Sequence, residues 1–390
     1  MKKVGVIFGG TSVEHEVSVI TGMQVMENLD KNNYEAVPIY ITKEGKWLTG
    51  NSLKNFNTYK EGSFKDTKKI VLSQNRNDHN IYLHSDELGL FGKKVVDTLD
   101  VIFPALHGTY GEDGCTQGLF ELMNIPYVGG GVLCSSVGMD KIVMKDVYKS
   151  YDIPVVDYMW FYRTSWDKDN NKVISDIEER LGYPVFVKPA NLGSSIGINK
   201  AKDRDGLKAA IEIAVNYDRK IIIEKAVENP REINCAVMGY DEVVQASLCE
   251  EPLGWKEILS FEDKYISGGK NSKTEGKRRV IPAEIDDGLR TEIEDLAKRA
   301  FIAIDGRGTS RIDFLLDGNN KVYVNEINTL PGSIAFYLWE GKGYPFNKLV
   351  NELINIAIET HAEKNKNMYI FDANLFNRTQ YGGKVNRGIK

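Results

Sequence analysis

Three times in this chain a short apolar run stops abruptly in a glycine-bearing loop, and that repetition limits the fold more than any other feature. Residues 3–8 (KVGVIF) meet Gly9 and Gly10, residues 99–105 (LDVIFPA) lead into HGTYGEDG, and residues 183–190 (YPVFVKPA) enter the loop NLGSSIGINK at 191–200. Short β-branched runs bounded by glycine read as buried strands. After the first of them, EHEVSVITGMQVMENL reads as a helix, with Thr11 and Glu14 at capping-box spacing. Another strand reads at 35–41 (EAVPIYI). Strands alternating with helices imply an α/β domain with a mainly parallel sheet, whose ligands gather beyond the strand C-termini, where Glu14 and His107 lie. Residues 50–95 are polar and rich in Asn and Lys, and read as a hairpin-bearing excursion away from any site.

The pattern then changes. A helix over 141–150 leaves the first domain and Pro154 closes it. Strand 183–190, its loop, a helix near 204–216 and a strand at 220–227 form a small, antiparallel-leaning unit, too short for a doubly wound sheet. Strands at 233–238, 243–249, 308–316 and 321–327 follow, with helices at 285–304 and 344–360. The expected domains are 1–140, 141–228 and 229–361, the last carrying a mobile loop at 255–280. Residues 362–390 read as an arm, a disordered tail or packing for a neighbouring subunit. A length of 390 residues agrees with several domains, because single cores stop growing near roughly 250–300 residues.

Composition narrows the partners. Lys and Arg total 50 against 55 Asp and Glu, a formal charge of −5, so nothing draws the whole chain to nucleic acid or an anionic membrane. An anionic ligand must meet a local cluster of cations. The four cysteines lie far apart without a CxxC pair, which suggests neither a zinc site nor a disulfide framework. No apolar run reaches about 18 residues and the N-terminus runs straight into a strand, so the expectation is a cytoplasmic protein.

Two strands near the C-terminus concentrate polar chemistry. Arg311 and Asp313 are two apart on one, Glu326 and Asn328 on the next, so each pair shares a face while Ile312, Phe314, Val324 and Ile327 take the other. Oxygen ligands of this kind suit Mg²⁺ held between carboxylates and substrate phosphates, with arginine facing a transferring phosphoryl group. Spacing alone leaves this level with a surface ladder of paired charges. Lys188, at a strand end before Gly193, Ser194, Ser195 and Gly197, matches a flexible lid over ATP phosphates, although a lone glycine-rich loop is more often an ordinary hairpin turn. It is no Walker P-loop, since GxxxxGK[ST] is absent from the chain. The strand EKAV at 224–227 would supply a hinge whose backbone meets one edge of a purine.

Taken in order, GGTSVEHEVS (9–18), ALHGTYGEDG (105–114), MDK (139–141), FVKPANLGSSIG (186–197), IIEK (222–225), DKY (263–265), SRIDF (310–314) and NEINTLPG (325–332) resemble the D-alanine–D-alanine ligase family of the ATP-grasp superfamily. The resemblance implies an α/β (α+β) ATP-grasp fold with an N-terminal parallel-sheet domain. It also implies a two-step reaction for peptidoglycan precursor synthesis: ATP phosphorylates the carboxylate of a first D-alanine, and the amine of a second amino acid displaces the phosphate. The cofactors implied are ATP and two Mg²⁺ or Mn²⁺ ions, the partners are D-amino acids, and the assembly is a homodimer formed through the N-terminal domain.

Roles implied by the resemblance transfer residue by residue. Glu14 would hold the ammonium of the first D-alanine, and His107 and Glu112 would flank that substrate, His107 near its carboxylate. Lys141 and Lys188 would bind nucleotide phosphates, with Ser194, Ser195 and Gly197 in the lid. Ser194 would also join Glu14 and Tyr265 in a hydrogen-bonded triad. Glu224 and Lys225 would form the adenine hinge, and Glu232 would bind the ribose at a spacing one residue longer than usual. Lys264 and Tyr265 would fold over the phosphates and substrates, Arg311 would face the phosphoryl group and the oxyanion, and Asp313, Glu326 and Asn328 would hold the metal. Gly332 and Tyr337 would line the acceptor pocket. Tyr337 stands where the family carries serine, and Trp339 adds another large ring, so D-alanine is the default acceptor while D-serine, a D-hydroxy acid or another amino acid stays open.

Overall fold

The computed structural model describes residues 1–88, 92, 94–253 and 279–371, which fold around three β-sheets. In the first, strand Lys2–Gly9 lies between Tyr34–Ile41 and Val101–Pro104 and pairs with both in parallel. Helix His15–Asn28 makes the crossover. The sheet is nevertheless not mainly parallel. Trp47–Thr49, Lys68–Leu72, Asn80–Leu83 and Val95–Thr98 extend it to seven strands, each added antiparallel to the last. The supposed excursion at 50–95 thus contributes strands Lys68–Leu72 and Asn80–Leu83 to this sheet. Its polar residues cover the outside while Ile70 and Ile81 join Ile39 and Ile102 in the core, a period-two pattern too short to stand out among the Asn and Lys residues.

The second sheet has Asn199–Ala201, Val185–Pro189, Lys220–Lys225 and Tyr158–Tyr162 side by side, all antiparallel. Val185, Val187, Ile221 and Ile223 face helices Asn170–Arg180 and Arg204–Ala214 through Ile174, Ile177, Leu207 and Ile211. Alternation therefore turns Phe186, Lys188, Ile222 and Glu224 to the opposite face.

The third sheet orders Arg279–Val280, Val243–Pro252, Arg231–Tyr240, Gly308–Leu316 and Val322–Asn328. Its register places Glu250, Asn234, Asp313 and Glu326 in one row across four strands. The adjacent row, Cys249, Cys235, Ile312 and Ile327, points the other way into a core shared with helix Asp287–Ala303. The two buried cysteines, 14 positions apart in sequence, are direct cross-strand neighbours with free thiols.

Helix Phe346–Lys364 joins the first and third sheets. Leu349, Val350, Leu353 and Ile354 share one apolar cluster with Phe8 and Phe103 of the first sheet and Ala236 and Met238 of the third. Beyond it, Tyr369 donates its hydroxyl to Lys364 O at 3.0 Å and lies under the Arg76 guanidinium. Tail residues 372–390 lie outside the described residues.

Candidate active site

Lys188 ends its strand with Nζ 2.6 Å from Glu224 Oε2, and Lys145 Nζ lies 3.2 Å from Glu224 Oε1. Both ammonium groups also donate to Asn325, Lys145 to the backbone carbonyl at 3.1 Å and Lys188 to Oδ1 at 3.4 Å. Lys141, one helical turn before Lys145, donates to Leu192 O at 2.8 Å and sits 3.8 Å from Glu326 Oε2. All three lysines are buried. Burial opposes the charge on Glu224, yet the flanking Lys145 and Lys188 hold its carboxyl down at about 2, while burial lowers the ammonium of Lys145. A cationic cluster of this kind is what a triphosphate requires inside a chain of net negative charge. Lys145 escaped the sequence reading, although its i+4 relation to Lys141 on one helix face was a usable signal.

The side chains of the expected hinge residues bond within the protein. The Glu224 side chain pairs with Lys145 and Lys188. Lys225 Nζ donates to Leu181 O and Tyr183 O at 2.9 and 3.0 Å, and the N–H groups of Lys225 and Ala226 go to Asp157 O and Pro184 O. The strand pairs with Tyr158–Tyr162 as far as Glu224 and with Val185–Pro189 as far as Lys225. Glu232 lies two residues before Asn234 on one strand and shares its face.

On the third sheet, Arg311 grips Asp313 with two parallel hydrogen bonds, Nε to Oδ1 at 2.6 Å and Nη2 to Oδ2 at 2.8 Å. Asn328 Nδ2 donates to Asp313 Oδ2 at 3.1 Å, and Glu326 lies directly across the strand pair from Asp313. Burial works against the arginine's charge, but Asp313 more than offsets it and keeps the guanidinium protonated. Two carboxylates and an amide oxygen form a hard donor set that fits a divalent cation such as Mg²⁺, with too few ligands to enclose it. Other oxygen donors, such as phosphate or water, would have to complete the shell of any ion held there.

The same row continues through two residues that the sequence reading missed. Asn234 Nδ2 donates to Glu250 Oε1 at 3.2 Å, and Tyr337 donates its hydroxyl to the same oxygen at 3.0 Å. Arg279 lies 3.5 Å from Glu250 Oε2, with its guanidinium 4.2 Å from the Tyr337 ring centroid. Tyr337 is therefore a fixed wall whose hydroxyl is already engaged, and burial, followed by Glu250, pushes its ionisation well up.

The N-terminal sheet meets this face through its glycine loops. Glu14 occupies the N-cap position of helix His15–Asn28, but no side chain caps that helix and the expected capping box does not form. Thr11 instead donates to Lys43 O, the Glu14 N–H goes to Ser12 Oγ, and the Glu14 carboxylate accepts the hydroxyl of Ser194. Gly108 and Gly193 permit that approach: a Cβ on Gly108 would fall 2.6 Å from Glu14 Oε2, and one on Gly193 would fall 3.0 Å from it. Ser194 and Ser195 are both left-handed, at φ +54° and +57°.

His107 and Glu112 both bond to other groups of the protein. His107 Nδ1 lies 3.0 Å from the Leu330 carbonyl and so carries the proton, leaving Nε2, 2.8 Å from Thr21 Oγ1, as an acceptor. Burial lowers the imidazole to about 4, so it is neutral near pH 7. Glu112 accepts the Gly108 N–H at 2.8 Å and the Leu330 N–H at 3.0 Å. Burial, then the neighbouring Glu14, raises its carboxyl to about 8. Both side chains clamp the loop after Asn328 onto the N-terminal sheet. Lys264 and Tyr265 lie outside the described residues.

Comparison with known proteins agrees with this geometry. Family models described as D-ala D-ala ligase N-terminus and C-terminus match residues 3–130 and 147–355. A D-alanine–D-alanine ligase from Thermosipho africanus is 41% identical over 377 residues, covering 96% of this chain and 98% of its own. One from Bacillus cytotoxicus is also 41% identical, covering 94% and 98%. Among solved structures, VanG D-Ala:D-Ser ligase from Enterococcus faecalis is similar at a TM-score of 0.77 and 32% identity, covering 91% of this chain and 99% of that one. The D-alanine-D-alanine ligase from Coxiella burnetii gives 0.75 and 29%, covering 94% and 98%. Two family models that together span most of the chain, near-full-length relatives and a shared ATP-grasp architecture place it in the D-alanine–D-alanine ligase family.

Proposed function

We propose that this chain joins two D-alanine molecules at the expense of ATP, through an acyl phosphate, to supply peptidoglycan precursors. A carboxylate oxygen of the first D-alanine attacks the γ-phosphorus and ADP leaves; the amine of the second attacks the acyl carbon, loses a proton, and expels phosphate. The chain contributes position and charge more than covalent chemistry. Lys141 and Lys188 bind phosphate oxygens, Glu14 takes the donor ammonium, and Arg311, held rigid by Asp313, faces the charge that develops on the phosphoryl group and the oxyanion. Asp313, Glu326 and Asn328 would hold Mg²⁺ or Mn²⁺, which would neutralise phosphate charge. Tyr265 would complete the triad with Glu14 and Ser194, and Lys264 would close on the phosphates.

The hydrogen bond from Ser194 to Glu14 carries this reading, because it ties the lid over the phosphate lysines to the acid that selects an amino acid. The test is phosphate release from ATP with D-alanine, alongside mass-spectrometric detection of the dipeptide. No dipeptide across a panel of D- and L-amino acids would refute it. A second acceptor such as D-serine is favoured by one observation: Tyr337, tied to Glu250, stands in place of the family serine. The ratio of kcat/KM for D-serine and D-alanine decides between them. No helix among the described residues is long and apolar enough to cross a membrane; with that, a cytoplasmic homodimer completes the proposal.

A further inference from the structure

We infer that Thr21 is a positioning residue that sets the acceptor subsite, and so fixes its distance from the donor subsite. This rests on the dipeptide-ligase reading above. Thr21 is fully buried on helix His15–Asn28, seven residues after Glu14. Seven residues make two helical turns, so both side chains leave the same face, about 10 Å apart along the axis.

The direction of the hydrogen-bond chain is determined. The Leu330 carbonyl can only accept, which puts the proton of His107 on Nδ1 and leaves Nε2 to accept the Thr21 hydroxyl. The oxygen of Thr21 then accepts the N–H of Ser333 at 3.1 Å, across 312 positions of sequence.

What Thr21 holds is a strained turn. Ser333, Ile334 and Ala335 are all left-handed, at φ +49°, +56° and +48°, and a β-branched residue such as isoleucine rarely adopts that conformation. Strain of this kind persists only where the surroundings over-determine it. Here Ile334 and Ala335 are fully buried, the Ile334 N–H reaches Pro331 O at 2.8 Å, and Thr21 supplies the bond from the N-terminal domain. The turn delivers Phe336 onto Phe346, ring planes 6° apart, and Tyr337 onto Glu250. One helix therefore carries the donor-side acid at its start and the anchor of the acceptor-side wall two turns later.

The test compares Thr21→Val, which keeps shape and removes the hydroxyl, with Thr21→Ser, which keeps the hydroxyl, and Thr21→Cys, a weak hydrogen-bonding group that covers the case in which the valine variant does not fold. Acceptor KM is measured at saturating donor and ATP, and donor activation separately, by trapping the acyl phosphate with hydroxylamine. Thr21→Val should raise acceptor KM roughly tenfold, with Thr21→Cys in between, Thr21→Ser near wild type, and donor activation and ATP KM changed less than about twofold. Unchanged acceptor KM in the valine and cysteine variants, or a parallel rise in donor and ATP KM, would overturn the inference while leaving the ligase reading intact. A wild-type protein that forms no dipeptide with any acceptor would overturn both.

Discussion

The proposed phosphate half and the proposed amino-acid half of the site are built on opposite plans. Around Glu224, opposed charges on regular elements meet directly: Lys145 from a helix, Lys188 from the neighbouring strand, and Asn325 from the third sheet. Around Glu14 and Tyr337, backbone groups dominate, with the N–H of Gly108, Leu330 and Ser333 each aimed at a side chain of the N-terminal domain. The first half is expected to fail when charge is lost, the second when geometry is lost.

The sharpest way to break this contrast is Glu326→Gln, which keeps shape and removes one charge from the proposed metal row. Turnover at saturating Mg²⁺ should fall about 10³-fold, the scale for losing a preorganised electrostatic contact. The melting temperature should hardly move, because Ile327 and the core face are untouched. An unchanged kcat would remove Glu326 from the site.

Next in size is Lys145→Met. It leaves Glu224 buried with one cation in place of two, so urea unfolding should report a loss of about 4 kcal/mol. Adding Glu224→Gln should recover part of it, and no recovery would show that packing, not charge, sets this half.

The geometric half should reveal itself through pH. His107 is depressed from 6.5 to about 4, so its neutral form is favoured by the fold. Its contribution is fully present above pH 6.5 and disappears as pH falls through that window to about 4. At about 1.4 kcal/mol per unit, wild type should lose about 3 kcal/mol more than His107→Gln between those limits. Parallel stability curves would contradict the buried, neutral assignment.

The smallest effect is expected at Tyr337→Phe. The loss of one hydrogen bond to Glu250 should cost about 1 kcal/mol in acceptor kcat/KM, with ATP KM unchanged. Tyr337→Ser should shift preference towards D-alanine, and an identical acceptor profile in that variant would show that Tyr337 does not line the subsite.

The phosphate half was the more legible of the two because its signals are local. Arg311 with Asp313, and Glu326 with Asn328, are read from two-residue spacing alone, and Lys188 from its place between a strand and a glycine loop. The capping-box reading of Glu14 failed for the opposite reason: the spacing is present, but Thr11 and Glu14 each found a better partner outside the helix. Glu250 was passed over because nothing near it in sequence distinguishes it from Glu251, and only strand register sets it beside Asn234.

By itself, the sequence determined the principal strands and helices, the polar and apolar faces of the two strands that carry Arg311 and Glu326, the order of the motifs and hence the family. The tertiary structure alone decided that Glu224 serves two lysines, that Cys235 meets Cys249, and that both nitrogens of His107 are spent on Thr21 and Leu330. Periodicity specifies which way a side chain points. Which neighbour it meets there depends on sheet register and loop docking, and these are set by contacts such as His107 to Leu330, 223 positions apart, that no local pattern encodes.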